Sequence, residues 1–423
     1  MRIAVVGSGI AGLGAAWLLQ RRHQVTLFEA EDRLGGHTHT HAIEADGREH
    51  QIDTGFIVFN PQHYPLLSQL FSELGVASQP TTMSFSVSDE RSGLEYECTD
   101  LAGLYCQKRN LLRPRFARML WDLTRFYRLA PALLQQPEPG PTLGEYLQQH
   151  RFGPGFVHDH LLPMAAALWS SPERQILEFP ARALVQFMAN HCMLQISGRP
   201  PWQVVQGGSS SYLRALEPRL EEVDIRLASP VVQVRRLHEG VEICTSDRHG
   251  GQRHERFDQV VLACHSDQAL RMLEQPSAAE HEVLNALPFE RNDVVLHTDV
   301  SLLPRRRRAW AAWNALKLAG VEDRCTVSYS MNLLQSLPGP TQFVVTLNGT
   351  DRIDPARILR RLDYAHPIYN IAGARARARR AEINGVDRIW YCGAYWGHGF
   401  HEDGLRSGVE VAQALGVQWP GNQ

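Results

Sequence analysis

Arg2-Ile3-Ala4-Val5-Val6-Gly7-Ser8-Gly9-Ile10-Ala11-Gly12 is the stretch that decides the fold of this chain. Its first five residues read as a short strand buried on both faces, the kind found inside parallel sheets. The glycine run follows with no spacer. A helix is predicted over Leu13–Arg22, a second strand over Gln24–Phe28, and Glu29-Ala30 comes directly after it. This is the spacing of a dinucleotide site. Gly7 permits the tight turn off the strand, and Gly9 lets the backbone approach a pyrophosphate. Gly12 lets the helix pack close to the strand. The helix N-terminus points its free N–H groups at phosphate oxygens, and Ile10 and Ala11 in the turn are counted with the cofactor-binding residues. Glu29 lies 22 residues after Gly7, where a carboxylate accepts hydrogen bonds from ribose hydroxyls.

The chain of 423 residues is too long for one ordinary core and predicts two domains. With 43% hydrophobic and 21% charged residues it has the composition of a globular enzyme. A formal net charge of −2 gives no global field for nucleic acid. The basic residues are almost all arginine; Lys108 and Lys317 are the two lysines. Cys98, Cys106, Cys192, Cys244, Cys264, Cys325 and Cys392 form no CxxC pair. They read as reduced thiols of a cytoplasmic protein rather than a disulfide framework or zinc site. No signal peptide and no run of 18 apolar residues is present.

Arg33-Leu34-Gly35-Gly36 resembles the RxGG motif of the flavin-containing amine oxidase superfamily, which also holds protoporphyrinogen oxidases and carotenoid desaturases. The resemblance implies non-covalent FAD, with this segment along the diphosphate and ribityl chain; His37 stands where an arginine is usual. Asp53-Thr54-Gly55-Phe56 resembles the DxG turn beside the flavin. Gly207-Gly208-Ser209 with a helix over Tyr212–Leu220 resembles the GGxxxL segment. Strands are expected over Ile225–Leu227 and Pro230–Val234, with the Val232 backbone at adenine, and over Phe257–Cys264. At the carboxyl end, a strand over Arg388–Gly393 and a helix opening at Gly404-Leu405-Arg406-Ser407-Gly408 look like the second flavin segment. That helix N-terminus would stabilise negative charge on the reduced ring. Ala394 replaces the usual Asp after Gly393, so Glu402 or Asp403 would have to supply the ribityl contact.

The fold class implied is α/β: a Rossmann-like FAD-binding domain of the GR2 type with an inserted α+β substrate domain on a mixed sheet. Residues 1–75, 200–268 and 366–423 would form the first, and 76–199 and 269–365 the second. Strands over Val294–Asp299 and Gln342–Asn348 fit the mixed sheet. Within the superfamily the chain is most similar to a bacterial group of predicted NAD/FAD-binding proteins linked with cyclopropane-type fatty-acid methyltransferases. Asn190-His191, Arg199-Pro200-Pro201-Trp202, Trp313-Asn314 and the stretch Gly393–Gly404 carry that likeness. The association implies a lipid role.

Other features carry two readings each. His37, His39 and His41 alternate and could share one face of a strand as a metal cluster, or belong to the diphosphate loop; no carboxylate or cysteine partner stands near, and no metal is expected. Residues 108–134 are basic and aromatic, with seven positive charges against Asp122 over 108–128. They form a solvated helix or touch anionic lipid. Arg305–Arg308 is a second basic run. Tyr395, Trp396, His398, His401 and Glu402 are the catalytic candidates, placed near the isoalloxazine by the resemblance. Trp202, Trp313 and Asn314 are further pocket candidates.

The expected function is FAD-dependent oxidation or desaturation of an apolar, lipid-like small molecule, such as a modified or methyl-branched fatty acyl chain. The alternatives are amine oxidation, carotenoid-type desaturation and a non-enzymatic flavoprotein. Amine oxidases of the family hold a lysine near flavin N5, whereas the strand leading to Val294 carries Glu290, Arg291 and Asn292. The expected location is cytoplasmic, with the inner membrane face as an alternative. No motif specifies the electron acceptor.

Overall fold

The structure is a computed structural model, and it describes residues 1–169, 171–195, 198, 200–247, 250–319 and 326–420. Arg199 and Cys325, both named above, lie outside the described residues. The other six cysteines are free.

A five-stranded parallel sheet runs Val223–Arg226, Gln24–Phe28, Arg2–Val6, Gln259–Leu262, Ile389–Tyr391. Successive side chains of a strand point to opposite faces, and both faces are covered here. Ile3 and Val5 pack with the helix Ile10–Leu19 and the closing helix His401–Ala414. Ala4 and Val6 pack with Val260, Leu262, Ala269 and Val283 on the other side. The apolar run at the start of the sequence is apolar throughout for that reason. A second, seven-stranded mixed sheet runs Ile358–Pro367, Phe289–His297, Val344–Leu347, Thr326–Ser330, Trp313–Lys317, Phe85–Asp89, Leu94–Glu97. Helices drawn from residues 101–190 cover it through Val87, Tyr96, Phe116, Phe156 and Phe187.

Several boundaries differ from those expected. The first helix runs Ile10–Leu19 rather than Leu13–Arg22, because the Gly9 carbonyl already accepts the Leu13 N–H at 2.9 Å. The strand expected over Phe257–Cys264 is two, Gln252–Phe257 and Gln259–Leu262. Asp258 makes the break: its carboxylate accepts the Arg2 N–H at 2.6 Å and its own N–H donates to the Arg2 carbonyl. The closing helix starts at His401, three residues before Gly404. Asp403 sets that start by accepting the N–H groups of His398 and Phe400 at 3.0 and 3.1 Å. The strand expected over Val294–Asp299 is Phe289–His297.

The two ends of the chain meet helix to helix. A Cβ on Gly408 would stand 2.2 Å from the Ala11 carbonyl oxygen, and one on Gly404 would stand 2.8 Å from Ile10 Cγ2. Only glycine permits that approach. The N-termini of the first and last helices therefore open side by side.

Candidate active site

The glycine turn is built as a cradle. A Cβ on Gly12 would lie 1.9 Å from the Gly7 carbonyl oxygen, so the helix sits hard on the turn. A Cβ on Gly9 would meet nothing within 4 Å: it would project into open space over a helix start that no side chain caps. A Cβ on Gly36 would come 3.2 Å from Gly9 Cα, so the turn Gly35-Gly36 borders the same space. The Arg33 guanidinium closes that turn by donating to the carbonyls of Gly36 and Thr38 at 2.9 and 3.2 Å and pairs with Glu31. Glu29 accepts from the Ser8 N–H and hydroxyl at 2.9 and 2.6 Å. A carboxylate has about four acceptor positions, which leaves room for ribose hydroxyls. These residues fit a dinucleotide diphosphate: an open anion cradle, two uncapped N–H groups and an acid beside them. Val232 is exposed in the strand Val231–Arg236.

Asp53 ties the second motif to the third. It is fully buried and accepts from Ser209 N–H, Ser209 Oγ, Thr40 Oγ1 and Gln335 Nε2. Burial pushes its carboxyl up to about 6 against these hydrogen bonds. Gly55 packs on the backbone of His37: a Cβ there would stand 2.0 Å from the His37 carbonyl oxygen.

Imidazoles line the wall that follows. The His37 ring lies 5.4 Å from His366, 6.2 Å from His265 and 5.0 Å from Tyr364. His39 and His41 lie 4.0 Å apart, and bond Tyr364 and Thr54. His366 Nδ1 accepts from Asn292 Nδ2 at 3.1 Å. Burial lowers His37, and pushes His39 down to about 3 and His41 and His366 to about 4. All are neutral at pH 7. His41 alone of the alternating three lies in the strand Thr40–Ala45, so the three do not share one strand face. Among the described residues no group of three or more His, Cys, Asp or Glu could hold a metal ion. Sequence spacing gave no sign of His265, His366 or Asn292; the antiparallel pairing of Phe289–His297 with Ile358–Pro367 puts His366 on this wall.

The five catalytic candidates separate. Tyr395 is buried against Phe289 and Trp396. His401 stacks on Phe56 at 3.8 Å and bonds Thr38 Oγ1 at 3.0 Å. Glu402 accepts the N–H groups of Leu66 and Leu67, both at 3.0 Å, and so caps the helix Pro65–Leu74. Asp403 is spent on its own helix start and on Arg406. Leu405 is fully buried against Gly14, which leaves only its backbone available. Trp396, His398 and Glu402 do come together, in a cleft of about 530 Å³ that also holds His63, Asn190, His191 and Phe400. Trp313 faces Tyr329 in the mixed sheet, and Asn314 is buried and bonded to Ser86, so neither lies in this cleft.

His191 is the residue of this cleft to which the sequence assigned no role. It is sandwiched between Phe187 at 4.0 Å and Trp202 at 5.7 Å. Its Nδ1 lies 2.9 Å from the Phe187 carbonyl, which can only accept, so the proton is on Nδ1. Nε2 is then a lone pair, buried and without a protein partner. Burial pushes the ring down to about 4. Phe187 stacks on Phe400 at 4.7 Å, and Trp169 donates to the His398 carbonyl at 3.2 Å. The cleft's two arginines are paired, Arg380 with Glu410 and Arg406 with Asp403.

Glu402 offers a direct check. Glu402→Gln leaves one acceptor oxygen for two N–H groups and is expected to lower stability by about 1–3 kcal/mol with FAD content unchanged. Calorimetry and the bound-flavin spectrum measure both. A variant of full stability that loses FAD would instead make Glu402 a cofactor ligand.

A parallel sheet, a glycine cradle at its first turn and a closing helix brought to the same place define a dinucleotide-binding protein of the flavoprotein class. The model of the family named Flavin containing amine oxidoreductase matches residues 10–307, and the chain belongs to that family, whose cofactor is FAD. A carotenoid phi-ring synthase from Streptomyces griseus is 29% identical over 289 residues, 64% of this chain and 53% of that protein. An L-amino-acid oxidase from Pseudechis australis is 53% identical over 47 residues, 11% of this chain and 9% of that protein. The chain thus spans about half or less of the length of these curated relatives. The solved structure of cyclohexylamine oxidase from Brevibacterium oxydans IH-35A shares the fold with a TM-score of 0.69 at 16% identity, over 98% of both chains.

Proposed function

We propose that this protein uses FAD to oxidise a carbon–hydrogen bond of an apolar, lipid-like small molecule, such as a modified fatty acyl chain, leaving a double bond. Bound FAD supplies the two-electron acceptor. The observation that carries the reading is the aromatic stack at the cleft: His191 and Phe400, which line it, both stack on Phe187, Trp202 stacks on His191, and both arginines of the cleft are ion-paired. Such a stack favours an apolar body, and the pairing of both arginines leaves no free cation for a substrate carboxylate. In this reading Gly7–Gly12, Glu29-Ala30, Arg33–His37, Thr54–Phe56, Val232, Gly393-Ala394 and Gly404-Leu405 surround the cofactor, while the carboxylates of Glu402 and Asp403, expected at the ribityl chain, are held by protein partners. Residues 1–75, 200–268 and 366–423 form the FAD-binding domain, and 76–199 and 269–365 the substrate domain. His191 Nε2 accepts the proton that leaves the substrate, while the stacked rings exclude water.

The Streptomyces griseus relative is a carotenoid phi-ring synthase, which is in line with an apolar substrate. Amine oxidation is the second reading, and the lysines count against it. Lys317 donates to the His158 carbonyl at 2.6 Å and pairs with Glu173, away from the closing segment, and Lys108 is exposed. Anaerobic mixing of the FAD-loaded protein with fatty-acyl lipids, polyenes and amines in parallel separates the readings. Flavin bleaching with the lipids or polyenes is expected. Bleaching with amines alone would replace this proposal by the second reading. His191→Gln is expected to keep FAD and slow the bleaching by about 10²-fold or more.

A further inference from the structure

Two basic segments about 200 residues apart in sequence meet on one face. Glu95, buried in the strand Leu94–Glu97, holds the loop Arg305–Arg308: it accepts the Arg305 N–H at 2.8 Å and pairs with Arg306 at 2.9 Å. Arg109 lines the same cleft as Arg305 and Arg306. Asp100 pairs with Arg308 at 2.7 Å, which sets the short helix Leu101–Leu104 beside the loop. The helix Pro114–Leu129 follows. It buries Phe116, Met119, Asp122 and Phe126 and turns Trp121, Arg118 and Arg128 outward.

This face carries apolar groups as well as charge. Four of the nine exposed large hydrophobics of the described residues are Leu101, Leu111, Leu112 and Trp121. Single exposed leucines are common, but here four large hydrophobics fall within residues 101–121. Leu112 is 85% exposed and Leu101 73%. Trp121 is 52% exposed, with the guanidiniums of Arg118 and Arg125 over its ring at 4.4 and 4.7 Å. Lys108, Arg128, Arg305 and Arg307 have no carboxylate partner among the described residues, in a chain whose net charge is −2. Asp89, Glu90, Glu95 and Asp100 offset part of this charge, and these four cations are the ones left over beside the exposed leucines.

We propose that the face formed by residues 101–128 and 305–308 docks on an anionic lipid bilayer, with Leu101, Leu111, Leu112 and Trp121 entering the headgroup layer and the unpaired cations meeting lipid phosphates. Exposed leucine and tryptophan beside arginine and lysine is the composition of an interfacial contact. Among the described residues no helix is long and apolar enough to cross a membrane, so the contact is peripheral. A polynucleotide or an acidic protein would use the cations but leave the leucines idle. The face lies outside the cleft of the candidate active site, so the proposal stands independently of the reaction catalysed.

The test is co-sedimentation of the full, FAD-loaded chain with vesicles of phosphatidylcholine alone and of phosphatidylcholine with phosphatidylglycerol, at low and high salt. Binding to the anionic vesicles, lost at high salt, is expected. Arg305→Ala with Arg307→Ala is expected to weaken partition about 30-fold, since each cation near an anionic surface contributes about 1 kcal/mol. Leu111→Ser with Leu112→Ser is expected to weaken it at least about tenfold. All four residues are exposed, so bound flavin and melting temperature serve as fold controls and should not move. Equal sedimentation with both vesicle types, or none, overturns the proposal. So does binding to heparin that matches the vesicles in strength and ignores the leucine changes, which would make the face a polyanion site.

Discussion

Gly9→Val is expected to give a folded protein that holds no FAD. Gly9 has φ −63° and ψ 173°, a backbone conformation valine adopts readily. A Cβ there meets nothing within 4 Å, so the substitution strains no protein contact. The added branches fill the space over the first helix N-terminus, where the diphosphate must come within hydrogen-bond reach of backbone N–H groups. The expected result is near-native thermal stability, a colourless preparation and no flavin uptake on addition of FAD. Gly12→Ala makes the contrast. Its methyl would lie 1.9 Å from the Gly7 carbonyl oxygen, so it should disturb the fold itself. A yellow Gly9→Val protein with full flavin occupancy would remove the cradle from the cofactor site.

Stability is expected to fall steeply as pH drops from about 6.5 to 5. His191 and His297 are buried, and burial pushes both down to about 4. The unfolded chain binds protons at about 6.5, above the folded value, so acidification favours unfolding. At pH 5 each of the two rings costs about 2 kcal/mol, about 4 kcal/mol together. His297 makes the physical reason plain: Nδ1 accepts the Asp299 N–H at 3.1 Å and Nε2 bonds Thr346 Oγ1 at 2.7 Å, so a second proton breaks the first bond. Asp53 works in the opposite direction. Its folded value is raised to about 6, so it loses stability as pH rises from 3.8 to 6 and regains about 1 kcal/mol at pH 5. The histidines win, and His37, His366 and His401 add to their side. Thermal melts across pH 5 to 7 measure the slope. His191→Gln should reduce it, and a melting temperature that does not move over that range would refute the neutral-histidine account.

The architecture was more legible in the sequence than the site. Ile3–Val6 read as a doubly buried strand, and the parallel sheet places it third of five. Helix starts were misplaced by three residues at both ends of the chain, for one reason. At Gly9 and at Phe400 the start is set by backbone and carboxylate hydrogen bonds within the turn, whereas the eye looks for the glycine that ends the motif. The candidate site was read from neighbours in sequence. Tyr395, His401 and Glu402 follow one another closely, yet they point into the core, onto Phe56 and toward the helix at Leu66.

The sequence by itself determined the nucleotide fold, because a glycine motif is local: strand, turn and helix lie within a dozen residues and would meet a diphosphate through backbone atoms. It also pointed to a second segment near Gly393–Gly408, whose helix packs on the first through Gly404 and Gly408. Only the tertiary structure decided which side chains line the cleft and the wall beside it. His191 owes its unpartnered lone pair to a carbonyl one helical turn away and its stacking to Trp202 from the strand Trp202–Val205. His366 reaches His37 through a strand pairing. Burial, which fixes the charge of these rings, is a property of packing between distant segments, and no local spacing encodes it.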